Sequence, residues 1–257
     1  MKSGTAYIDS ILRFCAFFIV LSGFCVLSYG QAAGDFRTVS NGNWDNTGIW
    51  QRYNGSGWVG VAGYPGQAAG TGAVTVRHPV TLSVNPGNAI GSLSLEANLT
   101  ANRDNAQITV AGDFIISSGT LSCTNNSNRE LTVYVGGDFT MSGGAITENG
   151  NYGEIIFNGT GEQVFTKSGG TISNDIRFTV NSGAVLDMGT SVLDGSAGTF
   201  TINDGAGLIT DHPQGITASG NSGSIQVSGT RTFSSSADYT YGGTAAQVTG
   251  TGLPSSV

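Results

Sequence analysis

Short runs of alternating apolar and polar residues recur along most of the chain. Examples are "AVTV", "ITVAGDFII", "LTVYV", "EIIF", "TFTI" and "SIQV", all rich in Val, Ile, Thr and Phe. Such alternation is typical of β-strands, because successive side chains of a strand point to opposite faces. Gly, Asn and Ser-Gly steps separate the runs and suit turns. No convincing helical periodicity follows Gly30, so the sequence predicts an all-β protein.

Two of these runs return at short, unequal distances along the chain. The stretch "TVAGDFIISSGTL" (109–121) is echoed by "VYVGGDFTMSGGAI" (133–146), so that Gly-Asp-Phe occurs at 112–114 and again at 137–139. The stretch "FTVNSGAVL" (178–186) is echoed by "FTINDGAGL" (200–208). Imperfect repeats with periods of about 20–25 residues are typical of solenoid proteins, in which each repeat forms one coil.

A third echo spans a longer distance. The stretch "IFNGTGEQVF" (156–165) resembles "TYGGTAAQVT" (240–249), at a separation close to four coils of about 21 residues each. Strand-forming runs joined by repeated turn residues predict a right-handed parallel β-helix with an atypical N-terminal cap. A β-sandwich is the alternative fold, since it also consists of short strands and turns.

Stacked coils place equivalent residues above one another. The sequence therefore predicts that Asp113 and Asp138 lie at corresponding corners of successive coils. Phe114 and Phe139 are expected to stack beside them and to point inward. One coil cannot bury enough apolar surface to be stable alone, so we expect the stability of each coil to depend on its neighbours.

The chain divides into three predicted segments. Residues 1–30 have the charged start, the apolar stretch of about 14 residues and the small residues of a secretory signal peptide. A lipoprotein signal ending before Cys25 is the competing interpretation, although Phe24 stands where a small residue is expected. Residues 31–72 form an N-terminal segment with a Trp-rich cap. Residues 73–257 form the coils, a series expected to be incomplete at the C-terminus because no cap follows the last echo.

Charge and cysteine content narrow the functional classes. Lys and Arg number 10 and Asp and Glu 17, so the formal net charge is −7. This acidic balance disfavours nucleic acid and anionic membrane surfaces as partners. Charged residues make up 11% of the chain against about 25% in an ordinary globular domain, which favours a neutral, hydrogen-bonding surface. Cys123 is the one cysteine that remains after signal cleavage, so no disulfide is expected.

The repeats resemble those of a known group of secreted proteins. The likeness is carried by "FTVNSGAVLDMGTSVLDGSAGTFTINDGAGLITDHPQGI" and "GSIQVSGTRTFSSSADYTYGGTAAQVTGTGLP", and by the opening "GNWDNTGIWQ" with the later "GYPG" and "VTVRHPVTLSV". These stretches are similar to repeats of adhesin-like parallel β-helix proteins that Bacteroidetes-type bacteria export by type IX secretion. The resemblance implies a surface protein, here truncated before any C-terminal sorting domain.

Aromatic residues of the predicted cap are the candidate carbohydrate site. An exposed aromatic face packs well against the apolar face of a sugar ring. The four candidates are Trp44, Trp50, Tyr53 and Trp58. The alternative interpretation is that these side chains are buried and cover the apolar edge of the first coil.

Acidic residues suggest two further kinds of site. Asp113 and Asp138 could form a Ca²⁺-binding ladder, although turns at the coil corners also explain them. A second group could supply the paired carboxylates of a glycosidase, although each member also lies at a turn. This group is Asp187, Asp194, Asp204 and Asp211. A polysaccharide lyase would need a basic residue as well, and neither Lys167 nor Arg177 has an obvious partner in the sequence.

The leading functional hypothesis is a non-catalytic, secreted or cell-surface structural protein. Its β-solenoid would be adhesin-like and would contact glycans, surface proteins or another surface, without a cofactor or metal. No transmembrane segment is expected after signal cleavage, and the oligomeric state stays open. The alternative is a carbohydrate-active enzyme, either a polysaccharide lyase or a glycosidase, on the same scaffold. A third hypothesis is a carbohydrate-binding module in the Trp-rich cap.

Overall fold

A computed structural model describes residues 30–124 and 130–256 of the chain. The predicted signal peptide and its lipoprotein alternative lie almost wholly outside these residues. Ala32–Val257 form one compact unit. Its described part contains 25 strands and one short 3-10 helix at Thr47–Ile49. No helix in this part of the chain has the length and apolar character needed to cross a membrane.

The strands stack on three faces. The first face contains β9 (Ala106–Val110), β12 (Leu131–Val135), β15 (Gly153–Phe157), β18 (Ile176–Val180), β21 (Thr199–Ile202) and β24 (Arg231–Phe233). The second contains β1 (Phe36–Thr38), β5 (Thr71–Val76), β7 (Ile90–Leu95), β10 (Phe114–Ile116), β13 (Phe139–Met141), β16 (Glu162–Lys167), β19 (Val185–Asp187), β22 (Gly207–Thr210) and β25 (Asp238–Tyr241).

The third face is made of shorter strands. It contains β2 (Gly42–Asn43), β6 (Val80–Leu82), β8 (Leu99–Ala101), β11 (Thr120–Ser122), β14 (Ala145–Thr147) and β17 (Thr171–Ile172), followed by the separate pair β20 (Leu193–Gly195) and β23 (Ile225–Val227). A hairpin of β3 (Trp50–Tyr53) and β4 (Trp58–Gly60) pairs antiparallel with β1. On all three faces, the pairing between successive coils is parallel.

These pairings make a parallel β-solenoid of about six turns and confirm the predicted all-β fold. The sandwich alternative is not what forms, because strands pair with the next coil in parallel instead of with a sequence neighbour in antiparallel. Each strand between two coils thereby satisfies its backbone donors and acceptors on both sides. The echo of 178–186 at 200–208 is one coil, since Phe178 pairs with Phe200 and Leu186 with Leu208.

Equivalent apolar residues line the interior as continuous rows. On the second face one row joins Phe114, Phe139 and Phe165, which are in register and fully buried. The rings of Phe114 and Phe139 meet edge to face at 5.5 Å between centroids, and those of Phe139 and Phe165 stack at 5.1 Å. The predicted inward stacking of Phe114 and Phe139 is therefore confirmed. Such aromatic pairs contribute about 0.5–1.5 kcal/mol beyond their buried area.

The aspartates of the Gly-Asp-Phe echo connect successive coils. The Oδ1 atom of Asp113 accepts a hydrogen bond from the Asp138 amide at 3.0 Å, and Oδ1 of Asp138 accepts one from the Val164 amide at 2.8 Å. A Cβ atom at Gly137 would lie 2.5 Å from Asp113 Oδ1, so the glycine leaves room for that carboxylate. The predicted correspondence of the two corners is thus confirmed, and its chemical reason is backbone capping.

The long echo of 156–165 at 240–249 has a different meaning from the predicted one. Phe157 continues through successive coils to Phe233 on the first face, whereas Tyr241 lies on the second face. The separation is therefore not four coils. What the two stretches share is a corner built around a glutamine. The motif is local, so it can occur at different corners of a coil.

Gln163 and Gln247 bind the backbone in the same way. The Oε1 atom of Gln163 accepts the Gly159 amide at 2.8 Å, and its Nε2 donates to the carbonyls of Val135 and Gly137 in the preceding coil. Gln247 repeats this pattern with the amide four residues before it and with two carbonyls of the preceding coil, those of Thr210 and His212. Gln163 is almost fully buried, so these bonds are made away from water.

Replacing Gln163 by leucine should destabilise the solenoid. The change leaves the Gly159 amide without its partner, and a buried unsatisfied polar group costs about 1–3 kcal/mol. The exposed Gln107, replaced in the same way, is the matched control and should change the free energy of unfolding by less than about 0.5 kcal/mol. Urea denaturation measures both. Equal stability of the two variants would contradict the role given to Gln163.

Candidate functional site

The N-terminal segment is partly a coil and partly an insertion. Phe36 pairs in parallel with Val74, and Gly42 with Val80, so residues 36–43 already add strands to the solenoid. The antiparallel hairpin of β3 and β4 is inserted between this partial coil and the next. The hairpin breaks the regular pattern, and it carries three of the four aromatic residues that were predicted as a carbohydrate site.

Trp44 and Trp50 belong to the core. Both are almost completely buried, and their indoles meet edge to face at 5.1 Å between centroids. Trp44 Nε1 donates to the Pro65 carbonyl at 3.0 Å, and Trp50 Nε1 donates to the Trp44 carbonyl at 2.8 Å. An indole covered on all sides offers no face to a sugar ring. The prediction of carbohydrate binding is therefore corrected for these two residues, which cover the apolar start of the stack.

Tyr53 and Trp58 lie opposite each other on the hairpin and are half-buried. Their rings are 5.5 Å apart and tilted by 59°. The Arg37 guanidinium lies 4.3 Å from the centre of the Trp58 ring, and its Nε and Nη2 both donate to Gln51 Oε1. Because Gln51 faces Arg37 in the strand register, all four side chains share the outer face of the sheet. We call these four residues the hairpin patch.

A second polar group lies on the first face of the solenoid, and the sequence motifs gave no indication of it. The Arg177 guanidinium lies 3.7 Å from the centre of the Tyr152 ring, and its Nη2 is 2.8 Å from Asp175 Oδ2. Glu154 faces Arg177 directly in the register of β15 and β18, and Thr179 donates to Glu154 Oε1 at 3.0 Å. We call Tyr152, Glu154, Asp175 and Arg177 the first-face cluster.

The electrostatics of the first-face cluster follow from its neighbours. Partial burial raises the pKa of the Tyr152 phenol, and the nearby Glu130 carboxylate raises it further. The pKa of the Arg177 guanidinium is raised mainly by its hydrogen bond to Asp175. The cluster therefore holds a cation that is paired with the Asp175 carboxylate and has a second carboxylate, that of Glu154, nearby. The sequence does contain a signal for the contact between Glu154 and Arg177. The two residues are about one coil apart, and each lies within an alternating run.

The four aspartates predicted as possible glycosidase carboxylates are not gathered into one site. Asp187 ends β19, and its Oδ1 accepts the Gly189 amide at 2.8 Å. Asp194 lies on the third face, and Asp204 accepts a hydrogen bond from the Ser234 hydroxyl at the turn after β21. Asp211 pairs its amide with the Gly189 carbonyl, at the corner that follows Asp187. Their positions fit turns and corners better than a pair of catalytic carboxylates.

The Ca²⁺ ladder that the sequence left open also lacks a suitable arrangement. Oxygen atoms of Asp113 and Asp138 are used on backbone amides of the following coil. Among the described residues, no group of three or more His, Cys, Asp or Glu side chains is placed to hold a metal ion. Cys123 is fully buried, and burial followed by the Glu148 charge raises the pKa of its thiol far above the ordinary value. This thiol therefore stays protonated.

Lys167 and Arg177, for which the sequence offered no obvious partner, each form an ion pair in the structure. Arg177 pairs with Asp175, and Lys167 Nζ lies 2.9 Å from Asp194 Oδ1. Lys167 occupies an interior row, because it follows Met141 in register. The earlier members of this row are Val76, Leu95 and Ile116. Only 10% of the Lys167 side chain is exposed, against 56% of Asp194.

Two substitutions should separate the charge of Lys167 from its packing. Asp194→Asn leaves a mostly buried ammonium without its carboxylate and should lower the free energy of unfolding by about 1–3 kcal/mol. Lys167→Met continues the apolar row and should leave stability unchanged or raise it, because an apolar replacement of a buried ion pair is often neutral or stabilising. Urea denaturation compares them. Equal losses in both variants would contradict this interpretation.

Comparison with known proteins assigns no family to the chain. No family model, no curated protein and no solved structure matches it. The fold is that of a repetitive parallel β-helix, and it is compatible with many roles. Function therefore has to follow from the chemistry of the surfaces, above all from the hairpin patch and the first-face cluster.

Proposed function

We propose that this chain is a non-catalytic structural protein whose solenoid presents a rigid surface for contact with glycans or other surface molecules. The main supporting observation is the unbroken parallel pairing from β5 to β25, which extends one architecture over most of the described chain. A stack of this kind supplies length and rigidity by repetition, because each coil needs only its two neighbours. The loops and the inserted hairpin then supply specificity.

The outer rows of the solenoid support this proposal. One row on the second face runs in register from Thr75 through Ser94 and Ile115 to Thr140 and Thr166. A row on the third face contains Thr81, Thr100, Ser122 and Thr147. Arg37 precedes Thr75 in the first of these rows, and the positions named above carry no charge in either row. Hydroxyl groups at the regular spacing of strands, about 4.7–4.9 Å, suit hydrogen bonding to neutral polar partners.

The proposed location is the exterior of a cell, either secreted or bound to the outer surface. The signal-like start of the sequence and the resemblance to type IX cargo of Bacteroidetes-type bacteria motivate this proposal. Few charged residues and an acidic net charge of −7 favour contact with polar glycans over contact with nucleic acid. Detection of the protein on intact cells by a surface-restricted protease would test the location.

The hairpin patch is the proposed contact for glycans. Tyr53 and Trp58 provide aromatic faces, and Arg37 and Gln51 provide donors and an acceptor beside them on the same outer face. Aromatic stacking combined with a few fixed polar groups is a common way to bind polar ligands with an apolar side. Arg37 is held by Gln51, so its position is set before a ligand arrives.

Removal of the aromatic side chains should weaken glycan binding. Trp58→Ala combined with Tyr53→Ala should lower the affinity for glycans bound by the wild type by about tenfold or more, a loss of about 1.4 kcal/mol. Tyr134→Ala is the matched control, since Tyr134 is also half-buried and faces outward, but on the first face. A glycan array followed by titration measures affinity. Wild-type binding by a folded double variant would refute the hairpin patch as the contact.

A carbohydrate-active enzyme is the second candidate, and the first-face cluster is the observation that favours it. The Arg177 cation is paired with the Asp175 carboxylate and lies against the Tyr152 ring, and Glu154 faces Arg177 in the strand register. General acid–base catalysis needs such groups near a bound sugar, and a cation could neutralise a sugar carboxylate. The bonds within the cluster explain it equally well as a structural network.

Turnover of polysaccharides decides between the two candidates. A structural protein should release no reducing ends or unsaturated sugars from neutral or acidic polysaccharides. If turnover is observed, Glu154→Gln should abolish it, while Glu162→Gln, an exposed change on the second face, should not. Turnover that is sensitive to Glu154 would replace the structural proposal with the enzymatic one.

A further inference from the structure

The opposite side of the hairpin forms a second, separate feature. Neighbouring residues of a strand point to opposite faces, so Arg52 points away from the hairpin patch, between Gln51 and Tyr53. It lies opposite Phe36 on one side and Val59 on the other. A cleft of about 390 Å³ opens here between the hairpin and the loop of residues 61–70. This volume falls at the lower end of the range for small-molecule sites.

The cleft combines apolar walls with an unpaired cation. Phe36, Val59, Val61 and Tyr64 contribute apolar and aromatic surface. The Arg52 side chain is exposed and its guanidinium makes no hydrogen bond or ion pair with any described residue, although it lies 6.0 Å from the centre of the Phe36 ring. In contrast, Arg37, Arg77, Arg177 and Arg231 each have a polar partner. Arg103 also has a buried Nε without a partner among the described residues, but it does not line the cleft.

Two other polar side chains of the cleft also have unused hydrogen-bond donors. Asn54 Oδ1 is used by the amides of Ser56 and Gly57, and Gln67 Oε1 accepts the Tyr64 amide at 3.3 Å. The side-chain NH₂ groups of Asn54 and Gln67 therefore remain to donate. The described lining residues include no Asp or Glu. A site that offers donors and a cation is complementary to an anionic acceptor group.

We propose that this cleft binds a carboxylated sugar, such as a uronic acid unit of an acidic polysaccharide. The planar guanidinium of Arg52 matches a carboxylate with two parallel hydrogen bonds. Val59 and Tyr64 would pack against the apolar face of the ring, and the amides of Asn54 and Gln67 would donate to its oxygens. The site does not depend on glycan binding by the hairpin patch, because the two use alternate residues of β3.

The test compares sugars that share one ring and differ at carbon 6. Methyl β-glucuronide, methyl β-glucoside and methyl β-glucoside 6-sulfate are titrated into the purified protein and followed by NMR. The glucuronide should bind about tenfold or more tightly than the glucoside, because only the glucuronide carries a charge-assisted partner for Arg52. Equal affinity for these two sugars, or tighter binding of the sulfate than of the glucuronide, would overturn the proposal.

Variants assign the binding to Arg52. Arg52→Gln should remove the preference for the glucuronide and should still fold, because Arg52 has no polar partner among the described residues. Arg77→Gln, which alters an exposed arginine paired with Glu96, is the matched control and should bind like the wild type. Ala69→Glu adds an anion to the cleft and should abolish glucuronide binding. Wild-type affinity in folded Arg52→Gln would refute the site.

Failure of this proposal is distinguishable from failure of the proposed function. Trp58→Ala changes the hairpin patch on the outer face and should leave glucuronide binding intact. Arg52→Gln should in turn leave binding of neutral glycans intact. A protein that binds neutral glycans but not the glucuronide would retain the proposed contact function and would lose only the acidic-sugar site.

Discussion

Parallel backbone pairing between successive coils is the constraint on which the structure depends. A strand in the middle of the stack pairs with one coil before it and one coil after it, as β12 does with β9 and β15. Such a strand cannot keep its backbone groups satisfied without both neighbours. Backbone groups at the corners, where no strand pairs, also need hydrogen-bond partners. Asp113 and Gln163 provide them by using their side chains to bond the backbone of the adjacent coil.

This constraint leaves the outward positions free to carry function. Inward rows are restricted by packing, because each side chain must fit those above and below it. Outward side chains meet only solvent and their neighbours in the row. In the inserted hairpin, strand alternation places Trp58 on the outer face and turns Arg52 towards the cleft. The same hairpin covers the edge of β1 that would otherwise be open to other strands, so the segment proposed to contact glycans also closes one edge of the sheet.

The sequence alone was sufficient to predict the fold class and to predict which residues align in successive coils. Period-two alternation and repeats of about one coil predict parallel stacking, because both express local geometry that is the same in every turn. For this reason the alignment of Asp113 with Asp138 could be predicted. The long echo ending near Gln247 gave a wrong coil count, since its motif describes one corner and contains no information about which face the corner joins.

Only the tertiary structure decided which side chains are covered and which are paired. Nothing in the sequence distinguishes Trp50 from Trp58. In the structure, Trp50 is buried against other aromatic rings, whereas Trp58 lies on an outer face. Lys167 gains Asp194, and Arg177 comes to face a glutamate, through contacts between different coils. Burial and pairing of this kind depend on how coils stack in three dimensions, which the local pattern of residues does not specify.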